Sequence, residues 1–403
     1  MANNVLRILA IIDNNPFNVS SATNNRFLSL TQGLVSNSCI VDLIFVNGYL
    51  SNSEYKKYKH KGKCGTLKYK YVYSLFMRNK YIRKIFKVLF FNILTVSQIK
   101  KTIINGHYDY VWIGADPNAI KVGLELFKLD LSVKYFHERN EYSWIGISDA
   151  KLHQQYLRNF IPSVDILSVM TDALSKYYSD FVSEKTKIIK VPMTVDFSRF
   201  DILKDIECTS YKTPYIGYCG STDFLKDGVD VLVKAFINIK DKYPELNLYI
   251  AGEWFSKDSY NLMVNIINEA VLSDRVFLLG LVPKEEIPQF LLNASILALA
   301  RPESTQAEGG FPTKLGEYLA TGNPVCVTNV GEICNYLSDN QSAFVAKPNC
   351  INSFSDALER ALVSPVARSV GEKGREIAYE YFNIDIQVSK LLSILTETVD
   401  VIS

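Results

Sequence analysis

Short apolar runs alternate with longer amphipathic stretches along almost the whole chain, and this alternation constrains the fold more than any other feature. Such a pattern is typical of parallel strands joined by crossover helices, so we predict an α/β architecture. The strand candidates form two similar sets, which predict two Rossmann-like sheets. They are 7–12, 40–46, 108–113, 134–136, 166–169 and 187–191 in the first half, and 214–219, 246–251, 276–279, 296–299, 324–327 and 343–345 in the second.

The chain has 403 residues, which exceeds one ordinary hydrophobic core and favours two domains. The stretch 192–213 is polar, charged and poor in strand pattern, so we place the linker there, with a cut near residue 195. We expect a first domain over 1–195, a second over 196–383, and a C-terminal helix over about 384–403 that crosses back to the first. Two such lobes imply a cleft.

Composition excludes several classes of protein. The residues are 48% hydrophobic and the net charge is +2, which fits a globular protein and neither a disordered chain nor one that coats nucleic acid. The seven cysteines form no Cys-x-x-Cys pair and the four histidines are scattered, so we expect no metal and no cofactor. The N-terminus lacks a signal-peptide pattern and the apolar runs are too short to span a membrane, so we expect a cytoplasmic protein.

The segment 56–101 is a basic patch, in which lysines and arginines alternate with tyrosines and phenylalanines and hardly an acid occurs. One interpretation is peripheral contact with an anionic membrane at its inner face. The other is a solvated helix face above a stripe of core residues, and the pattern leaves both open. No nucleic-acid-binding motif accompanies the charge, so nucleic acid is not an expected partner.

The most informative stretch is 301–327, which reads RPESTQAEGGFPTKLGEYLATGNPVCV. A strand ends there, a loop with paired glycines follows, and a helix begins near Thr313. Backbone amides at such a helix start suit a diphosphate, and the glycines let the backbone approach it closely. The residues expected to bind a nucleotide-activated donor in this stretch are Glu308, Gly309, Gly310, Phe311, Pro312, Thr313, Lys314 and Glu317.

Two acids of this stretch have separate expected roles. Glu317 lies one helical turn beyond Thr313, where its carboxylate can accept both hydroxyls of a ribose. Glu308, at the glycine loop, would hold hydroxyls of the donor sugar. The plain alternatives are a solvated helical acid and an exposed loop acid. The surrounding loop favours the binding role for Glu317 and leaves Glu308 open.

These residues resemble the retaining, GT-B-fold glycosyltransferases of family 4. The family signature has the form E-G-F-x-x-x-x-x-E, followed by a small-residue turn and a G-x-P-V-V strand. Here Gly-Phe-Pro precedes Glu317, and Ala-Thr-Gly-Asn-Pro-Val follows it over 320–325. Aligned on Phe311, the first family glutamate falls on Gly309, one residue after Glu308. Either Glu308 reaches in from the shifted position or the donor sugar is held differently.

The segment 215–233, YIGYCGSTDFLKDGVDVLV, resembles the strand, glycine turn and Lys-Gly pair that open the second domain in that family. The family lysine that contacts the donor phosphates falls on Asp227, so Lys226 is the nearest candidate, with a solvated loop lysine as the alternative. Ser221 stands where the family often has arginine. Backbone amides beside Gly220 must then carry more of the phosphate charge.

In the first domain, His137 directly follows an apolar run, where α/β sheets place ligand-facing residues. It resembles the family histidine that faces the reacting sugar, where it would donate a hydrogen bond or polarise an acceptor hydroxyl; the alternative is a structural histidine. Arg26 is either a charge for the acceptor or donor, or a helix-surface arginine. The residues expected to bind the acceptor are Asn18, Ser21, Arg26 and Glu138.

The resemblance implies a GT-B fold, with two Rossmann-like domains facing across a cleft. It also implies a transferase that moves a sugar with retention from a nucleotide-diphosphate-sugar to a saccharide or lipid-linked saccharide, in cell-surface polysaccharide synthesis. We expect His137, Glu308 and Lys226 to carry catalysis. No Asp-x-Asp signature lies at a strand end, so we expect transfer independent of a metal.

Two rival functions stay open at this point. One is a non-hydrolysing nucleotide-sugar epimerase of GT-B shape, and the other is a catalytically silent protein that binds sugar nucleotides. A dehydrogenase is disfavoured, because the first strand is followed by DNNPFNVSS instead of a Gly-x-Gly-x-x-Gly turn.

Overall fold

The structure is a computed structural model, and it describes residues 5–18, 21–73, 94–203, 211, 214–254 and 256–400. The chain divides into two compact units. Unit 1 comprises Met1–Pro192 and Gln387–Ser403, and unit 2 comprises Met193–Ile386. The sequence placed the corresponding boundaries at residues 195 and 384.

Unit 1 contains one eight-stranded sheet. Its strands are β1 (Arg7–Ile12), β2 (Ile40–Phe45), β3 (Lys61–Cys64), β4 (Leu67–Tyr71), β5 (Tyr110–Ile113), β6 (Lys134–Arg139), β7 (Ile166–Val169) and β8 (Lys187–Lys190). They lie in the order β3-β4-β2-β1-β5-β6-β7-β8, and every neighbouring pair is parallel except β3 and β4. The central strands β1 and β5 are buried on both faces, which explains their unbroken apolar sequences.

Helices connect the parallel strands of unit 1. They are α1 (Ala22–Ser36), α2 (Asn52–Lys57), α3 (Val96–Gly106), α4 (Pro117–Leu126), α5 (Ser143–Gly146), α6 (Ala150–Gln155) and α7 (Asp172–Ser179). A π-helical turn, Tyr156–Phe160, and a 3-10 turn, Ile161–Ser163, follow α6. Helix α1 begins where it does because the Ser21 hydroxyl accepts a hydrogen bond from the backbone N–H of Asn24, and Thr171 caps α7 in the same way.

The hairpin of β3 and β4 corrects one interpretation of the basic segment 56–101. That segment was read as a helix face, yet part of it forms two antiparallel strands. Leu67, Tyr69 and Tyr71 are buried while the residues between them are not, which is the two-residue period of a strand. The helical interpretation is therefore wrong for the hairpin, and residues 74–93 of the segment lie outside the described residues.

Unit 2 contains a six-stranded parallel sheet in the order β11-β10-β9-β12-β13-β14. The strands are β9 (Tyr215–Cys219), β10 (Asn247–Ala251), β11 (Val276–Gly280), β12 (Ile296–Leu299), β13 (Val325–Thr328) and β14 (Phe344–Ala346). The helices are α8 (Ser198–Asp201), α9 (Phe224–Asp227), α10 (Val229–Ile239), α11 (Lys257–Glu269), α12 (Ile287–Leu292), α13 (Thr305–Gly309), α14 (Thr313–Ala320), α15 (Ile333–Tyr336), α16 (Ile351–Val363) and α17 (Ala367–Phe382). The predicted α/β class is confirmed.

The last helix, α18 (Ile384–Asp400), carries the chain back into unit 1. Val388, Leu391 and Leu395 are buried, and the Leu395 carbonyl accepts a hydrogen bond of 3.0 Å from the Tyr110 hydroxyl of β5. The last turns of the chain thus contribute to the core of the first sheet. Within the described ranges, no helix is both long enough and apolar enough to cross a membrane.

Candidate functional site

The carboxyl end of β9, in unit 2, brings Gly220 and Lys314 together. Tyr318 of α14 fixes this end, because its hydroxyl donates to the Cys219 carbonyl at 3.0 Å and accepts from the Cys219 N–H at 2.7 Å. A Cβ atom at position 220 would lie only 2.4 Å from Cε of Lys314, so the lysine stem passes where a side chain would be. A side chain at position 220 would therefore displace the end of this lysine from the position it has here.

Lys314 is largely buried, and its ammonium is held from two sides. Nζ lies 2.7 Å from Oδ1 of Asp227 and 3.1 Å from the hydroxyl of Tyr218, and it also lies 5.1 Å from the centre of the Tyr218 ring. Burial lowers the pKa of the Lys314 ammonium, while Asp227 opposes this effect. The nearby cations Arg301 and Lys226 lower that pKa further. Three cationic side chains thus share one neighbourhood.

Asp227 is the functional candidate that the sequence did not identify. It occupies the position of the family lysine, is 1% exposed, and pairs with Lys314 instead of contacting phosphate itself. Lys226, the predicted phosphate ligand, is half-buried on α9, where its N–H donates to Asp223 at 3.3 Å. Lys314 is therefore the lysine that pairs with Asp227 at the strand end, and Lys226 lies close enough to lower its pKa. The pairing of Asp227 with Lys314 has no signal in the sequence, because the two positions are far apart along the chain.

Gly228 sets the position of α9 against the sheet. Its φ of 67° lies in the left-handed region, and a Cβ atom there would fall 2.0 Å from the carbonyl oxygen of Ala300. Only glycine satisfies both conditions. The resulting close approach brings the end of α9, with Asp227, to the carboxyl end of β12.

Helix α14 begins at Thr313, as predicted, and its first turn presents backbone N–H groups. Its N-cap is Pro312, whose side chain has no hydrogen-bond acceptor, whereas Ser304 caps the preceding helix α13 by accepting from Ala307 N–H at 3.0 Å. Uncapped amides at a helix start favour an anion. Lys314 is the second residue of this helix, so its side chain starts from the same turn as these amides.

The glycine loop before α14 divides into buried and exposed residues. Gly309 and Gly310 are buried, whereas Glu308 is exposed on α13. Phe311 is 6% exposed and packs against Tyr336 and Phe382, with ring centroids 5.6 and 5.2 Å away. The ring of Phe311 therefore belongs to the apolar core that anchors the loop, and contact with the donor stays a prediction for its backbone.

Glu317, the predicted ribose ligand, forms an ion pair with Arg199 of α8, in which Nη1 lies 2.5 Å from Oε1. Both side chains are about one-third exposed. Burial raises the pKa of the Cys219 thiol to about 12, and Glu317, Lys314 and Arg199 all contribute to its shift. Glu317 and Lys314 therefore lie near the same strand end. Ser221, also a predicted ligand, is exposed just beyond it.

In unit 1, His137 lies inside the sheet, on β6. Its ring is fully buried, with Nδ1 2.7 Å from the Ile113 carbonyl and Nε2 2.9 Å from the Tyr156 hydroxyl. A carbonyl only accepts, so Nδ1 carries the proton and Nε2 accepts from Tyr156. Burial lowers the pKa of His137 to about 3, so the ring is neutral near pH 7. Both ring nitrogens bond inside the unit in this structure, and the expected hydrogen bond from this ring to an acceptor sugar stays a prediction.

Arg26 and Glu138 form a buried ion pair, with Nη2 2.8 Å from Oε1. The same guanidinium donates to the carbonyls of Val191 and Pro192 at 2.8 and 2.7 Å. Arg26 is 4% exposed, so the helix-surface alternative is wrong. The pair ties α1 to the end of β8, and the acceptor-binding roles of Arg26 and Glu138 stay predictions.

The remaining acceptor candidates lie after β1. Asn18 is half-buried in a turn, where its N–H donates to the Asn15 carbonyl at 3.3 Å. Ser21 is exposed, and its hydroxyl accepts from Asn24 N–H at 3.1 Å as the cap of α1. Residues 19–20 between them lie outside the described residues. Among the described residues, no group of three or more His, Cys, Asp or Glu side chains is placed to hold a metal ion.

The two Rossmann-like units have the arrangement of strands and helices that the GT-B fold class has. Residues 208–377 match the family "Glycosyl transferases group 1". A curated relative, the uncharacterized glycosyltransferase YqgM of Bacillus subtilis, is 23% identical over 239 residues. That match covers 59% of this chain and 62% of YqgM.

Solved structures show the same fold over nearly the whole chain. Sucrose-phosphate synthase from Thermosynechococcus elongatus is 16% identical with a TM-score of 0.73, and the match covers 98% of this chain and 100% of that one. A glycosyltransferase from Rickettsia africae is also 16% identical with a TM-score of 0.73, covering 98% of both chains. HepE of Anabaena, solved with UDP and glucose, is 12% identical with a TM-score of 0.69, covering 97% and 100%.

Proposed function

We propose that this protein transfers a sugar, with retention, from a nucleotide-diphosphate-sugar to a saccharide or lipid-linked saccharide in polysaccharide synthesis. The observation that carries the proposal is the buried Lys314 ammonium beside Gly220 and the first turn of α14. The group 1 match over 208–377 covers all of these residues and supports the same assignment. HepE was also solved with UDP-glucose, which makes uridine donors the first to test.

In the proposed reaction, negative charge develops on the departing diphosphate. The amide dipoles that begin α14 and the Lys314 ammonium stabilise that charge, and Lys226 adds a second cation nearby. Asp227 keeps Lys314 in place, since the buried ion pair fixes Nζ before the substrate arrives. This is electrostatic preorganisation by the protein, and it assigns no covalent role to a side chain.

The proposal is tested first by thermal shift with UDP, GDP, ADP and UMP, because a ligand that binds the folded state raises its melting temperature. We expect a nucleoside diphosphate to stabilise the protein more than the matching monophosphate. A donor-hydrolysis and transfer assay with the stabilising nucleotide sugar follows. Conversion of the donor without an acceptor would identify the epimerase, and binding without transfer to any acceptor would identify the silent protein.

We also propose peripheral contact with an anionic membrane at its inner face. Support comes from the hairpin, where Lys61 lies opposite Lys70 and Lys63 lies opposite Lys68. Opposite residues of an antiparallel pair project to the same face, so the four lysines form a cationic square, which we call the lysine quartet. Sedimentation with phosphatidylglycerol vesicles, compared with phosphatidylcholine vesicles, tests the proposal. Loss of the difference when the quartet is changed to glutamine is the expected result, and its persistence would contradict it.

A further inference from the structure

Trp144 lies on α5, directly after β6, and 46% of its surface is exposed, whereas Trp112 in the sheet is 1% exposed. Single exposed apolar side chains are common, so exposure alone identifies no site. What distinguishes Trp144 is its place at the carboxyl end of a parallel sheet, where α/β folds bind ligands, and the way in which its ring is held.

The indole of Trp144 is fixed in one orientation. It stacks on Tyr142 with ring centroids 4.4 Å apart and planes inclined by only 8°. Tyr177 meets both rings at 89°, with its centroid 5.1 Å from Tyr142 and 5.2 Å from Trp144. Tyr142 thus covers one indole face and Tyr177 an edge, so the exposed surface is the opposite face.

A hydrogen-bonded brace holds this aromatic group in place. The buried Ser143 hydroxyl lies 2.7 Å from Nε2 of His153 and 2.9 Å from the hydroxyl of Tyr177. The brace links α5 to α6 and α7. A ring immobilised in this way loses little side-chain entropy when a ligand covers it, which favours binding.

A buried arginine supports the Trp144 loop from inside the unit. Arg139 is 3% exposed and donates from Nη2 to the Tyr142 carbonyl at 3.3 Å. Its Nε is buried and has no hydrogen-bond partner within the described part of the chain. A Cβ atom at Gly146 would lie 3.8 Å from Nη2 of Arg139, so the Trp144 loop rests on the guanidinium. The polar side chains within reach of solvent that flank the loop are Asp149, which is exposed, and Glu141, which is half-buried. The site therefore combines an apolar platform with polar groups at its border, as small-molecule sites do.

We propose that the exposed face of Trp144 is a platform on which a pyranose ring of the acceptor stacks, an inference that rests on the proposed function. A pyranose has a face of C–H groups and a rim of hydroxyls, so it can cover an aromatic ring while its rim hydrogen-bonds to polar groups. A bilayer is the less suitable occupant. Glu141 and Asp149 flank the loop, and their charge opposes an anionic membrane surface.

Saturation-transfer difference NMR without donor tests the platform on the full chain. The probes are methyl α-D-glucopyranoside, methyl α-D-mannopyranoside, methyl β-D-galactopyranoside and N-acetyl-D-glucosamine. We expect saturation of the C–H protons of at least one probe by the wild type. Trp144→Ala should weaken its binding by about tenfold, and Trp144→Phe should retain most of it. Tyr55→Ala is the matched control, because Tyr55 is also an exposed aromatic of unit 1 that packs edge-on against another ring.

Three results would overturn the inference. The first is that the wild type saturates no probe. The second is that Trp144→Ala binds the probes as tightly as the wild type does. The third is that phosphatidylglycerol vesicles shift the fluorescence emission of Trp144 while the glycosides do not. In a transfer assay, the platform also requires Trp144→Ala to raise the KM for acceptor while the KM for donor stays within about twofold. Failure of the proposed function itself is distinct, because then neither UDP nor GDP stabilises the wild type.

Discussion

At the scale of single residues, Lys314 and Lys226 compete for the role of phosphate ligand, and matched substitutions separate them. Lys314→Met should weaken nucleoside-diphosphate binding by roughly 10- to 150-fold, since a charge-assisted hydrogen bond is worth about 1.5 to 3 kcal/mol. Lys226→Met should weaken it less, because Asp227 holds the Lys314 ammonium at 2.7 Å and so fixes its position before the ligand binds. Titration calorimetry with UDP and GDP provides both affinities.

This comparison needs a control for the Asp227 charge that loses its partner when Lys314 is replaced. Removing Lys314 leaves Asp227 buried and unpaired, which costs stability on the order of 3 to 5 kcal/mol. The double variant Asp227→Asn, Lys314→Met removes both charges, so it should recover stability without recovering affinity. If the double variant binds UDP as tightly as the wild type, the ammonium of Lys314 does not contact the diphosphate.

His137 predicts a pH dependence of stability. Its folded pKa is lowered to about 3 by burial, below its ordinary value of 6.5. The unfolded state therefore takes up a proton that the folded state does not, and this group's contribution to the free energy of unfolding is lost as pH falls below about 6.5. Urea denaturation at pH 5 and pH 7 should show a larger loss for the wild type than for His137→Asn. Equal losses in the two proteins would show that the pKa of His137 does not differ between the folded and the unfolded state.

At the scale of elements, long apolar strands were predictable and the basic hairpin was not. The strand candidates 7–12, 166–169 and 296–299 match the observed bounds, because an unbroken apolar run buried in a parallel sheet has few alternatives. The strands β3 and β4 are short, and lysines fill their outward positions. Their lysines favoured a surface patch over a strand. The burial of Leu67, Tyr69 and Tyr71 depends on the pairing of β4 with β2.

The lysine quartet makes the hairpin sensitive to charge. Lys61 and Lys70 lie opposite each other. Burial is the larger cause of the lowered pKa of Lys70, and the charge of Lys61 is the second cause. Like charges directly across a ladder destabilise it by a few tenths of a kcal/mol. Lys63→Glu replaces repulsion by attraction to Lys68, so it should raise the melting temperature slightly at low salt. The gain should shrink in 1 M NaCl, where charges are screened.

The matched control for the hairpin is Lys128→Glu. Lys128 is an exposed lysine of the same unit that already pairs with Glu125, so its replacement should lower stability slightly or leave it unchanged. A gain in melting temperature that is equal in both variants, or one that survives high salt, would contradict cross-strand repulsion as the cause.

At the scale of the whole molecule, the class and the two sheets followed from the sequence, while the contacts of the site residues did not. The glycine loop and the helix start at Thr313 were predicted because local residues determine them. The partners of the predicted ligands were not, since Arg199 meets Glu317 and Asp227 meets Lys314 only through the tertiary fold. Likewise, Arg26 and Glu138 were assigned to a ligand because a sequence does not show which charges neutralise each other inside the protein.

The return of the chain through α18 predicts that its last turns stabilise unit 1 selectively. Leu395 is fully buried in unit 1, so Leu395→Ala should cost about 2 to 5 kcal/mol. Hydrogen exchange should then rise in β1 and β5, whereas β9 and β10 keep their protection and UDP or GDP still stabilises unit 2. Thr396→Ala is the neighbouring control, because Thr396 is exposed. Equal loss of protection in both sheets would show that the two units unfold as one, and that the final helix stabilises unit 2 as much as unit 1.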